Sequence, residues 1–417
     1  MEIDTGNTAW VLASSALVLL MTPGLALFYG GLVRSKNVGA TIMQSFTCIG
    51  IVGVIWVLWG YSLAFGPSKG GLIGDLSWFG LKDVGLEPIA FYGGGTIPHQ
   101  AFMVFQAMFA IITPALITGA FADRMKFSAF VIFIVLWSTL VYSPVAHWVW
   151  AFDADGASGW IGKYGALDFA GGTVVHINAG IAALAAAWLV FGKRLKFQEE
   201  SMEPHNVPMV VLGAGILWFG WFGFNAGSAL SAGGVATSAF VVTNTAAAAA
   251  LLSWVLMSWM FNKKPSIIGA ASGAVAGLVA ITPASGFVGA VPAVIIGLVA
   301  GAACYFAVQI MSKLKIDDSL AVFGVHGVGG IWGALATGLF IGVGVDFVGL
   351  ADGVSRTQQI WRQLVGIGAT IAWSFVVTTI ILLAIKMTIG LQVKKEEEEV
   401  GLDVSQHGEP AYKMEEI

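Results

Sequence analysis

The chain has 417 residues, 57% of them hydrophobic and 11% charged, with a mean hydropathy of +0.83, figures that exclude a water-soluble globular domain. Its apolar runs are long and continuous, which also excludes a membrane barrel built from short alternating strands. The formal net charge of −4 comes largely from the run Glu396 to Glu399 and points to no nucleic-acid partner.

About 20 apolar residues in a helix cross a hydrocarbon core of about 30 Å. Runs of that kind lie at about 8–33, 39–66, 98–121, 127–150, 170–191, 207–228, 235–261, 266–282, 288–311, 319–342 and 360–389. The pattern predicts an all-α polytopic membrane protein with eleven transmembrane helices, the eighth barely long enough. A membrane domain covers 1–390 and a cytoplasmic tail 391–417. The 55 glycines fit helices that approach closely in lipid.

Lysine and arginine set the orientation. Arg34, Lys36, Arg124, Lys126, Lys193, Arg194, Lys196, Lys263, Lys264, Lys313, Lys315, Lys386, Lys394, Lys395 and Lys413 fall on one side, and Lys69, Lys82, Lys163, Arg356 and Arg362 on the other. The amino terminus is therefore expected outside and the carboxy terminus in the cytoplasm. Met1 to Asn7 carry Glu2 and Asp4 but no basic region, so the start is not read as a cleaved signal peptide.

Two apolar stretches repeat one pattern: Asp168 to His176 in DFAGGTVVH, and Asp318 to His326 in DSLAVFGVH. Each opens the last helix of a five-helix half, with repeat one at about 8–191, repeat two at about 207–342 and the eleventh helix at about 360–389. Five is odd, so the second half is inserted upside down. Eight helical residues rise about 12 Å, which brings both histidines near the midplane from opposite sides. An ionisable group at that depth marks a conduction path, a relay or a ligand site.

Each aspartate stands where a carboxylate caps free helix amides. An eight-residue step turns a helix by roughly 80° net, so neither is expected to touch its own histidine; structural capping and the polarising of two mouths are both open. Desolvation favours neutral imidazoles, which both donate and accept. The spans hold no carboxylate pair for sodium and no lysine or arginine for a large anion, so a small cargo is expected, weakly polar or transiently cationic. Phe105, Phe109, Trp150, Trp221 and Phe224, with Ser228 one turn beyond, could recognise a cation; aromatics at helical spacing also serve as packing. Cys48 and Cys304 are isolated in apolar segments and read as buried small hydrophobes. No metal site, cofactor or enzyme is expected.

The strings PGLALFYGGLVRSKN (23–37), MVFQAMFA (103–110), FADRMKFSA (121–129), ALDFAGGTVVHINAG (166–180), WFGWFGFNAGSA (218–229), ITPASGFVG (281–289) and DDSLAVFGVHGVGGIWG (317–333) closely resemble the ammonium transporter family, the Amt branch of the Amt/Rh superfamily, over nearly the whole chain. The resemblance implies that His176 and His326 are paired pore histidines and that Phe109 and Phe224 are stacked gating rings. Phe109, Trp150 and Ser228 would recruit ammonium at an outer vestibule. Asp168 matches a buried aspartate beneath it, Trp221 and Thr282 match pore-lining positions, and Asp318 stands at the other mouth.

It further implies a homotrimer in the cell's inner (plasma) membrane, carrying ammonium or ammonia, with methylammonium as a further cargo. Ammonia would pass the pore with or without separate proton transfer. The tail string GLDVSQHGEPAY (401–412) resembles a family segment that packs across subunits and supports regulation by PII-type signal proteins at the cytoplasmic face; His407 belongs to that motif rather than to a metal site. The alternative reading is an ammonium sensor that signals through its tail to a partner. A gas channel of the Rh type is a nearer rival, but Trp150 and Ser228 favour the ammonium-recruiting branch.

Overall fold

The computed structural model describes residues 2–199 and 203–412; Lys413, one of the basic residues counted above, lies outside them with the rest of the tail's end. The chain is mostly helical, and among the described residues ten helices are long and apolar enough to cross a membrane. They are α1 (Thr5–Leu32), α2 (Ser35–Phe65), α3 (His99–Ala120), α4 (Phe127–Trp150), α5 (Gly172–Val190), α6 (Val207–Ala229), α7 (Gly234–Asn262), α9 (Ala290–Lys313), α10 (Phe323–Phe340) and α11 (Arg356–Thr388). The eighth apolar run forms the shorter helix α8 (Ile267–Ile281), whose 15 residues rise roughly 22 Å. Among the described residues the only strands are two-residue hairpins: Ser68–Lys69 with Ile73–Gly74, and Phe152–Asp153 with Gly156–Ala157.

Polar side chains set the helix starts. Asp4 accepts from the Asn7 amide at 2.7 Å, Asn206 from Met209 at 2.9 Å and Ser266 from Gly269 at 2.9 Å, each satisfying an amide without an intrahelical partner. Helix α11 begins four residues before its apolar run because Ser355 and Gln358 form a capping box. Arg356 also donates to the Ile341 carbonyl at 2.7 Å, fixing that start against the end of α10.

Helix α1 packs along α6 through glycines. A Cβ on Gly213 would lie 2.3 Å from the Phe28 amide nitrogen, and one on Gly223 would lie 2.6 Å from Leu17 and 2.8 Å from the Ser14 carbonyl. Rising numbers on α1 meet falling numbers on α6, so the two helices run antiparallel. Both cysteines are buried and free.

Helices α5 and α10 cross still more closely. A Cβ on Gly180 would sit 2.2 Å from the Gly327 nitrogen, and one on Gly330 would sit 3.0 Å from the Ile177 nitrogen. Each glycine is four residues past its own histidine and meets the residue after the other histidine. The contact is reciprocal, and it places His176 and His326 side by side.

The tail is packed against the basic end of the helices. The Val393 amide donates to Arg124 O at 3.0 Å and the Lys126 amide to Leu391 O at 2.9 Å. Past the short helix α12 (Lys395–Val400), Asp403 accepts from the Ala40 amide at 2.7 Å and the Leu402 amide donates to Asn37 at 2.8 Å. His407 stacks edge-on against Phe127 at 4.9 Å.

Candidate functional site

Both histidine helices open with a wide, π-helical turn, Gly172–Ile177 in α5 and Phe323–Gly327 in α10; such turns are rare and concentrate at functional sites. Asp168 holds the first one. Its Oδ1 accepts from the amides of Gly171 and Gly172 at 2.8 and 2.7 Å, and its Oδ2 from the Thr173 amide, the Thr173 hydroxyl and the Val174 amide at 2.8, 2.7 and 3.1 Å. Gly171 stands at φ 116°, a conformation that favours glycine. Asp318 holds the second turn with fewer contacts, accepting from Val322 at 3.1 Å and Phe323 at 2.8 Å. The preceding Ala321 sits at φ 58°, which explains why α10 starts at Phe323 and not at the first apolar residue after Asp318.

The imidazoles meet in the interior. His176 Nδ1 and His326 Nδ1 are 3.2 Å apart, with ring centroids 5.3 Å apart at 23°. On its other side His176 stacks on Trp221 at 5.3 Å and on Phe224 at 5.9 Å. Trp221 is held by its indole N–H, which donates to the Thr282 hydroxyl at 2.8 Å, while that hydroxyl donates to Leu278 O at 2.7 Å. His176 Nε2 is buried and has no partner among the described residues. The cavity beside the rings, walled by Met21, Leu25, Ile112, Leu217 and Val275, is about 10 Å³, at the lower bound for one water.

On the Asp168 side lies a cavity of about 410 Å³ lined by Phe109, Trp150, Ser228 and Asp168, here the Trp150 cavity. Phe109 lines it and meets Phe224, which lines the small cavity beside the histidines, with ring centroids 4.3 Å apart at 41°, and Trp150 stands edge-on to Phe109 at 5.8 Å. Phe105 extends the aromatic row, 5.0 Å from Phe109. The Trp150 indole donates to Asp168 O at 2.8 Å, which joins the ring to the cap of α5. The Ser228 hydroxyl donates to Phe224 O at 2.8 Å, so its oxygen retains acceptor capacity.

On the Asp318 side a second cavity of about 370 Å³ reaches from His326 past Tyr29, Trp254, Tyr305 and Asp318 to Arg194, here the Arg194 cavity. Its rim is an ion cluster. Arg194 pairs with Asp317 at 2.8 Å and with Asp123 at 3.5 Å, Arg34 pairs with Asp123 at 3.3 Å, and Arg124 donates to Asp317. Burial alone would raise Asp317, but Arg124 and Arg194 outweigh it and hold its carboxyl below the ordinary range. Glu398 of the tail accepts from the Leu195 amide at 2.7 Å and is raised by burial, against the pull of that bond and of Arg34.

Phe109, Trp150, Ser228 and Asp168 thus line one large cavity and His326 and Asp318 the other, while His176 contacts His326, Trp221 and Phe224, Thr282 holds Trp221 and Phe105 packs on Phe109. Sequence reasoning passed over Gln106, which lines the Trp150 cavity and whose buried Oε1 has no partner among the described residues; its place one turn before Phe109 was the available signal. It also passed over the partners of Asp317. Those come from loops remote in sequence, and only the doubled acid at 317–318 hinted at them.

Comparison with known proteins agrees with this geometry. The family model described as "Ammonium Transporter Family" matches residues 9–412. An ammonium transporter of Bacillus subtilis (strain 168) is 52% identical, with 98% of this chain and 99% of that one covered. Among solved structures, Saccharomyces cerevisiae Mep2 superposes with a TM-score of 0.86 at 37% identity, covering 95% of this chain and 90% of that one. A structure titled "Sensor Amt Protein" gives 0.89 at 34%, covering 96% and 98%. With a model match over nearly its entire length and a relative that shares half its residues, the chain belongs to the ammonium transporter family.

Proposed function

We propose that this protein recruits ammonium in the Trp150 cavity, removes its proton, and passes ammonia between Phe109 and Phe224 and along His176 and His326 into the Arg194 cavity. The observation that carries the reading is the His176–His326 contact of 3.2 Å, with one large cavity on either side and almost no free volume between. An ammonium ion entering that constriction would lose its hydration, at a cost of several kcal/mol. Ammonia avoids most of that cost. In the Trp150 cavity the cation gains from ring faces, about 0.5 to 2 kcal/mol, and from acceptors at Ser228 and Gln106. The proton follows through the paired imidazoles, which makes transport electrogenic.

In this reading α8 also crosses, which makes eleven crossings, the amino terminus lies outside, and two five-helix repeats are inverted. The antiparallel α1–α6 pair and the reciprocal contact between α5 and α10 support it, as does the gathering of Arg34, Arg124 and Arg194 at the end that binds the tail. A homotrimer in the inner (plasma) membrane, and a PII-type partner at the docked tail, extend the same proposal from the family. The direct test is solid-supported membrane electrophysiology of proteoliposomes. Ammonium pulses should give transient currents and potassium pulses none; equal responses to both, or none to either, would refute the reading.

A sensor is the second reading, favoured by the docked tail and by the similarity to the structure titled "Sensor Amt Protein". It predicts ammonium binding without flux in the same assay.

A further inference from the structure

Asp168 and Asp318 occupy equivalent places, 150 residues apart, yet they are not equivalent chemically. Asp168 accepts five hydrogen bonds, one of them from the Thr173 hydroxyl. Asp318 accepts two, both from backbone amides; Phe323 stands where the first repeat has Thr173. A carboxylate offers about four lone-pair sites, so Asp318 keeps acceptor capacity that Asp168 lacks.

That capacity borders the Arg194 cavity, whose lining includes one arginine, Arg194, and one carboxylate, Asp318. Arg194 is engaged by Asp317 and Asp123. Tyr29 does not compete for Asp318, because its hydroxyl donates to Leu116 O at 3.0 Å. Across the cavity, Trp254 and Tyr305 meet edge to face at 6.0 Å and 87°, and the Tyr305 hydroxyl is tied to Asn262 at 3.3 Å. A carboxylate with free lone pairs in the same cavity as fixed aromatic rings suits a small cation that carries N–H donors.

We infer that Asp318, with the wall of Trp254 and Tyr305, forms a second ammonium site in the Arg194 cavity, which holds the cation after passage and before release. This rests on the ammonium reading above. The carboxyl of Asp318 is in keeping: burial pushes it up to about 6, against the pull of its two amide bonds and of Arg124, with Asp317 adding to the rise. A bound cation supplies counter-charge to that buried carboxylate.

The test uses membrane vesicles whose lumen faces the Lys/Arg-rich end, loaded with increasing ammonium, while currents from external ammonium pulses are recorded. In the wild type, lumenal ammonium should inhibit the current by occupying the exit site. Asp318→Asn and Trp254→Leu should each raise the half-inhibiting lumenal concentration at least fivefold. Inhibition that is normal in the wild type and unchanged in both variants would overturn the site alone. A wild type with no ammonium current would overturn the ammonium reading, and the site with it. Trp254→Leu leaves the cap of α10 untouched, so it decides the matter where Asp318→Asn does not assemble.

Discussion

His176 and His326 face one another through the same ring nitrogen, Nδ1 to Nδ1 at 3.2 Å. At that distance one nitrogen donates and the other accepts, so the neutral pair holds opposite tautomers. A proton that arrives at one outer nitrogen and leaves from the other must cross this contact. Nε2 of His176, buried and without a partner among the described residues, is the outer nitrogen at one end of that route. The stacks on Trp221 and Phe224 keep the His176 ring from turning away.

Replacing Trp150 with Leu removes a ring face and an indole donor from the Trp150 cavity. A cation–ring attraction of about 0.5 to 2 kcal/mol corresponds to a half-saturating ammonium concentration raised about twofold to thirtyfold. Concentration series of ammonium-pulse currents measure it, and an unchanged half-saturation would remove Trp150 from recruitment.

Asp168→Ala leaves four amides and a hydroxyl without their acceptor. Unsatisfied buried donors cost roughly 1–3 kcal/mol each before relaxation, so a total of at least about 4 kcal/mol is expected. Thermal unfolding in detergent should rank wild type above Asp168→Asn and Asp168→Ala last. Equal melting temperatures would contradict the capping role.

The tail should loosen when its buried aspartate is lost. Asp403→Ala deprives the Ala40 amide of its partner, at about 1–3 kcal/mol, and faster hydrogen exchange is expected at Ala40 and through Leu402–His407. Unaltered exchange there would show that the contact does not anchor the segment.

Acidification should tighten that docking. Burial raises Glu398 above the ordinary carboxylate range when the tail is bound, so the docked state takes up a proton more readily than the free tail. By linkage, docking is then favoured below the free carboxylate's titration and weakens as pH rises through the raised one. Limited proteolysis of the tail across that range reads it; Glu398→Gln should flatten the dependence, and a slope of the opposite sign would refute it.

Much of this was legible in the sequence because the bilayer imposes one coarse rule. Apolar runs located α4 at 127–150, as observed, and the doubled aspartate–histidine spacing located the two side chains that meet. The π-helical turns were hidden, since Gly171 and Ala321 take left-handed conformations that hydropathy does not record. The start of α11 was missed because capping by Ser355 depends on polar residues outside the apolar run. The cluster of Arg34, Asp123, Arg124, Arg194 and Asp317 joins loops separated by up to 283 positions, and no local pattern announces such a meeting.

The central claim is tested most directly by ammonium and potassium pulses applied to reconstituted His176→Ala and His326→Ala proteins. If the paired imidazoles carry the proton, each variant should lose at least about tenfold of the selective ammonium current, equivalent to about 1.4 kcal/mol in the barrier, or give a current that potassium also evokes. Full ammonium currents with potassium still excluded, in both variants, would contradict the account.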